Sequence, residues 1–166
     1  MEINIIGMGI GRNLAPDTGI RWGLTRLIFD TPVDVIFSVH QNDSDIQKRI
    51  VSRCEESDTL CYTCDNYPLN EMIEEFGTDY FTSSFDYAMA MAITLKPECI
   101  NLYGVNMSRR VKVEYAHQKP GGDFWTGFAM GRGIKVNIFG SMSEIRRSKD
   151  GLLYGYLTKQ RLQCTK

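Results

Sequence analysis

The stretch Thr82-Ser-Ser-Phe-Asp-Tyr-Ala-Met-Ala-Met-Ala-Ile-Thr-Leu-Lys-Pro-Glu-Cys-Ile-Asn-Leu-Tyr-Gly-Val-Asn-Met107 decides the fold. Phe85, Ala88, Met89, Ala92 and Ile93 recur at helical spacing and give one face an apolar stripe. Ser83 is placed to cap the helix, with Asp86 three residues on, where a capping-box acid belongs. Lys96-Pro97 ends the helix, because the residue before proline avoids the α region. Cys99 to Val105 then reads as a buried strand, with Asn106, Met107, Ser108, Arg109 and Arg110 at its carboxyl end. A helix feeding such a strand predicts an α/β protein, and a polar, basic loop at that end is where such sheets take ligands.

The start of the chain repeats the pattern. Ile3 to Ile6 is a short strand running into Gly7-Met-Gly-Ile-Gly-Arg-Asn13. Glycines at Gly7, Gly9 and Gly11 let backbone N–H groups approach a phosphate, and Arg12 can add a charge-assisted contact. The spacing G-x-G-x-G is not the dinucleotide fingerprint, and His40 stands where an acid would end the next strand, which argues against a nicotinamide cofactor.

Further along, Ile20–Phe29 reads as a helix carrying Trp22, Leu24, Leu27 and Ile28. Val33 to Val39 reads as a second buried strand ending at His40. Ser44 to Glu56 reads as an amphipathic helix, Thr59 to Thr63 as a short strand and Tyr67 to Phe76 as a short helix. Glu114 to Lys119 reads as a polar loop, Pro120 as the first turn of a helix striped by Phe124, Trp125, Phe128 and Ala129, and Ile134 to Phe139 as the last strand. The expected architecture is a Rossmann-like three-layer sandwich with a mainly parallel sheet of about five strands over residues 1–140. Residues 141–166 form a basic, aromatic tail, expected to pack on the same domain or on a second subunit of a homo-oligomer.

The 166 residues suffice for one domain with one core, and a net charge of −1 argues against broad binding to nucleic acid or to an anionic membrane. No apolar run reaches the length of a membrane span, and the first residues lack the form of an export signal. The five cysteines are then reduced structural thiols of a cytoplasmic protein, Cys61-Tyr-Thr-Cys64 included, and no metal or cofactor is expected.

Several of these stretches together resemble a Rossmann-like superfamily that includes archaeal 6-hydroxymethylpterin pyrophosphokinase-like proteins and certain bacterial sialyltransferases. The pieces are Gly7-Met-Gly9, Ser83-Ser84 and Tyr103-Gly-Val-Asn-Met107. Nearly the whole chain is similar to small bacteriophage proteins, through Trp22-Gly23, the strand ending in His40, Phe76-Gly-Thr-Asp-Tyr-Phe81, Trp125 and Gly151-Leu-Leu-Tyr-Gly-Tyr156. The resemblance implies that the glycine loop and the Ser-Ser helix face a nucleotide. The enzymes carry Gly-Pro-Ser and an aspartate where this chain has Gly9-Ile-Gly11 and Asn106, a departure that points away from catalysis and from a metal at that position.

The leading expectation is a binder of a phosphorylated nucleotide-like small molecule without turnover, such as a phage-borne protein sequestering a host nucleotide signal. Its candidate contacts are Gly7, Gly9, Gly11, Arg12, Trp22, His40, Ser83, Ser84, Asn106, Arg109, Glu114, Tyr115, Gln118 and Lys119. Arg12 and Lys119 supply charge, Trp22 and Tyr115 a stacking face, and the serines a helix N-terminus. The second expectation is a small nucleotide-dependent glycosyl- or pyrophosphoryl-transferase with His40 or His117 as base. Against it stand the lack of a Gly-x-x-x-x-Gly-Lys loop and of a nucleophile with a recognisable base. The third is a structural or protein-interaction module.

Overall fold

The computed structural model describes residues 1–40, 44–107, 113–140 and Ile145. Six strands form one sheet: β1 (Glu2–Ile6), β2 (Ile20–Leu24), β3 (Val35–Phe37), β4 (Leu60–Tyr62), β5 (Cys99–Tyr103) and β6 (Lys135–Phe139). Every pairing is parallel, in the order β4-β3-β2-β1-β5-β6. Four α-helices accompany them: α1 (Asp45–Glu56), α2 (Leu69–Phe76), α3 (Ser84–Thr94) and α4 (Tyr115–Gly131). This is an α/β, Rossmann-like fold. None of the described helices is long and apolar enough to cross a membrane.

The sheet has one strand more than expected, because Ile20–Phe29 is not a helix. It is strand β2 followed by a 3-10 helix, Thr25–Phe29. Thr25 turns at φ 52° and separates the two pieces. The spacing of Trp22, Leu24, Leu27 and Ile28 fits a helix, but Trp22 and Leu24 alternate with Gly23 across a pleat instead. Gly23 is bare because a Cβ there would lie 2.7 Å from the Ile36 side chain on the neighbouring strand.

Period-two alternation sorts the strand residues onto two faces. Ile3, Ile5, Trp22, Leu24, Phe37, Ile100 and Leu102 point into the main core with α2, α3 and α4. Phe85, Ala88, Met89, Ala92 and Ile93 of α3 are all buried there, as its periodicity requires. Ile6, Ile36 and Tyr103 point the other way, into a smaller core with Leu27, Ile50 and Cys54 from the 3-10 helix and α1. Beyond it, the same face of β1, β5 and β6 carries a row of amides at one register level. Asn101 donates to Asn4 at 3.1 Å, and Asn137 donates to Asn101 at 2.9 Å. Tyr103 and Phe139 stack one level on, with ring centres 4.5 Å apart.

The helix ends follow local chemistry. Ser44 caps α1 by accepting the Gln47 N–H at 3.2 Å. Gln47, itself buried, exchanges two hydrogen bonds with Ser38 and ties α1 to the end of β3. Gly77, at φ 65°, closes α2. α4 begins at Tyr115, not at Pro120, so the expected polar loop is its first turn. Pro120 lies inside the helix, where its missing N–H removes one backbone bond.

Candidate functional site

In a sheet wound outward from β1 in both directions, the chain reverses between β1 and β5. Ligands of open α/β sheets bind at that switch point, beyond the carboxyl ends of the strands. Here the carboxyl ends of β1 and β5, with the residues opening α3 and α4, meet through a continuous set of contacts. Gly7 N–H donates to the Tyr103 carbonyl and Gly9 N–H to the Gly104 carbonyl, both at 2.8 Å. A Cβ on Gly9 would lie 2.4 Å from Asn106 Nδ2, and one on Gly122 of α4 would lie 2.7 Å from Met107 Sδ. A Cβ on the adjacent Gly121 would meet Thr82 Oγ1 at 2.3 Å and Asp86 Oδ2 at 2.6 Å. Thr82 Oγ1 reaches the Gln118 carbonyl at 3.3 Å.

The glycine loop therefore works differently from the sequence expectation. Its Gly7 and Gly9 amides are used on the β5 loop. Gly7 and Gly9 allow the close backbone packing of the two loops. Arg12 turns away from α3, giving a hydrogen bond to the Met8 carbonyl at 3.0 Å and an ion pair with Asp30 at 3.3 Å. Trp22 is a core residue with its ring 5.2 Å from that of Phe37, so it offers no stacking face to a ligand.

The three hydroxyls before and within the first turn of α3 divide the work. Thr82 donates its N–H at 2.7 Å and its hydroxyl at 2.8 Å to Asp86 Oδ2. Ser84 Oγ accepts the Val39 N–H at 3.1 Å, fastening the end of β3 to α3. Ser83 occupies the N-cap position but its side chain makes no cap bond, contrary to the expected capping box. Among the described residues, Ser83 Oγ, Asp86 Oδ1 and Asn106 Oδ1 are buried and have no hydrogen-bond partner. Buried polar atoms are rarely left so, and these three make the switch point the candidate site.

Of the other candidates, Gln118 and Lys119 lie in the opening turns of α4 beside Thr82, with Lys119 paired to Asp123. Glu114 precedes that helix, Tyr115 opens it, and His117 is exposed on its first turn. His40 is exposed beyond β3, and its carbonyl accepts from Cys64 Sγ at 3.3 Å. Gly11 packs against Gly140 beyond β6. Arg109, and the tail apart from Ile145, lie outside the described residues; Ile145 is buried in the main core.

Asp86 was read from the sequence only as a cap. Its carboxyl is fully buried under α4, and burial pushes its pKa up to about 6, against the lowering effect of the Thr82 N–H and hydroxyl donors. A carboxyl near 3.9 in the unfolded chain and near 6 in the folded one binds its proton more tightly when folded. Its contribution to stability is thus complete below about pH 4 and is lost as pH rises through 6, by about 3 kcal/mol. Asp86→Asn should remove that term. The stability of the parent minus that of the variant, from urea unfolding, should fall by about 2–3 kcal/mol between pH 4 and pH 7. A pH-independent difference would show that Asp86 does not titrate in this range.

A cleft of about 850 Å³ lies elsewhere, along the edge formed by α1 and β4, with Cys54, Cys61, Thr63 and Asn66 among its lining. Cys61 faces Cys54 there, not Cys64, and the hydrogen bond between them together with burial pushes the Cys54 thiol up. Among the described residues, no three His, Cys, Asp or Glu side chains gather as a metal ion would require.

Comparison of the chain with protein-family models, with curated proteins and with solved structures gives no significant match.

Proposed function

We propose that the protein binds a phosphorylated, nucleotide-like small molecule at the switch point and releases it unchanged. The observation that carries this reading is Asn106 Oδ1 at the end of β5, buried and without a hydrogen-bond partner among the described residues. The 11-residue helix α3 presents partial positive charge at its N-terminus, which favours an anionic group. Lys119 and Gln118 stand beside it on α4. Binding is favoured over transfer because Asp86, the buried carboxylate of this site, is engaged in holding Thr82 beneath α4. His40 and His117 are both exposed. The resemblance to bacteriophage proteins supports a role in sequestering a host nucleotide signal.

A panel of nucleoside mono-, di- and triphosphates and cyclic nucleotides, followed by thermal unfolding, tests this. A ligand at a hundred times its Kd adds about 2.7 kcal/mol, a rise in Tm of roughly 5–10 °C for a chain of this size. The ligand should be recovered intact by mass spectrometry. Lys119→Ala should weaken binding by about 1–3 kcal/mol, the range for a charge-assisted hydrogen bond. A panel with no stabilising nucleotide would remove the reading, and a chemically altered ligand would replace it with the transferase.

A further inference from the structure

A second cavity, of about 300 Å³, lies under the connection from β1 to β2. It is lined by Arg12, Asn13, Asp17, Arg21, Asp30 and Thr31 among others. That volume equals the liquid share of about ten waters, enough for a tetrahedral oxyanion with a small organic group attached. Its lining places two guanidiniums beside two carboxylates, and the two pairs are unlike.

Arg12 is half-exposed and satisfied, by Asp30 and by the Met8 carbonyl. Arg21 is neither. Its side chain is only 11% exposed, while its ionic partner Asp17 is 94% exposed and 3.5 Å away, at the limit of a contact. An ion pair of that kind is worth at most about 1 kcal/mol. Arg21 has one further side-chain acceptor, the Thr31 hydroxyl at 3.1 Å. Among the described residues its Nε–H, also buried, has none. A guanidinium carries five donors in a planar fork, and burying it against one solvent-exposed counter-charge leaves part of its desolvation uncompensated. An oxyanion in the cavity would supply that counter-charge and take two of those donors side by side.

We propose that this cavity is a binding site for a phosphate-class oxyanion, with Arg21 as its principal contact and Arg12 as its second cation. The site is separate from the switch-point site at α3 and stands or falls independently of it. Asp17, at the exposed side of the cavity, competes with the anion for Arg21.

Isothermal titration calorimetry at low ionic strength, with inorganic phosphate as the probe, tests the assignment. The parent should bind saturably at one site, and Arg21→Gln should weaken binding at least tenfold. Arg21 is largely buried, so the decisive variant is Asp17→Asn on the surface, which removes the competing carboxylate and should tighten binding three- to tenfold. Lys135→Ala, exposed at the amino end of β6 and away from both sites, should leave phosphate affinity unchanged. The proposal is overturned by an absence of saturable binding, or by Asp17→Asn leaving affinity unaltered. Ribose 5-phosphate then separates the sources: tighter binding than inorganic phosphate assigns the cavity to a phosphoryl group on an organic molecule, and equal or weaker binding to the free ion.

Discussion

Trp125→Ala is expected to destabilise the protein by about 3–5 kcal/mol, lowering Tm by roughly 6–20 °C. The ring is completely buried on α4, and Phe76, Phe81, Phe124 and Phe128 all lie within 6 Å of it, centre to centre. Those partners come from the end of α2, the approach to α3 and α4 itself, so one side chain joins three segments of the main core. Its Nε1–H donates to the Tyr80 carbonyl at 2.8 Å, and truncation strands that carbonyl as well as opening a cavity. Trp125→Phe keeps most of the volume and loses only the donor, so it should cost less than half as much. Urea unfolding of both variants measures the difference. A loss below about 1.5 kcal/mol for alanine would mean that the surrounding rings close the gap unaided.

Gly104→Ala is expected to cost about 2–4 kcal/mol, an unusual sum for one methyl group. Gly104 sits at φ 62°, in the left-handed region, just beyond β5. Its added Cβ would lie 2.7 Å from the Gly9 carbonyl oxygen, 2.9 Å from Arg12 Cβ and 3.0 Å from the Gly7 carbonyl oxygen. Two of those three obstacles are backbone and cannot swing aside, so the β1 and β5 loops must part. Gly127→Ala is the control: it lies exposed inside α4, where a Cβ meets nothing within 4 Å, and should add up to about 1 kcal/mol. If the two substitutions had equal effects, helix propensity rather than loop contact would be governing both.

These two residues also mark what could be read from the chain and what could not. Trp125 was legible, because its stripe with Phe128 and Ala129 has helical period. Local periodicity likewise gave α3 and β5. The start of α4 was missed because a proline in a helical pattern reads as a beginning, yet here the helix tolerates Pro120 with a bond missing. β2 was missed because five apolar-rich residues carry both periods, and only pairing between β1 and β3 selects the strand. For the candidate site, the sequence brought out Ser83, Asn106, Gln118 and Lys119 as polar residues of one rim; the starts of α3 and α4 do meet, through the Thr82 hydroxyl and the Gln118 carbonyl. It did not reveal that the glycine loop packs on Gly104, nor that Asp86 reaches back to Thr82. The first depends on contacts between β5 and a segment distant in the chain; the second is local, but the capping pattern assigns that bond to Ser83 rather than to Thr82. Arg21 gave no signal, since an arginine at the start of an expected helix reads as solvated until its burial is known.

The neighbours of β1 set a timetable for the newborn chain. β2 follows it closely, but Ile3 aligns with Ile100 on its other flank. At ordinary rates of synthesis, roughly 5–20 s separate the making of these two strands. Throughout that interval an apolar strand has one flank of its backbone open on the ribosome, so this protein should depend on a chaperone that shields nascent segments, and refolding from denaturant should be slow and yield-limited by aggregation.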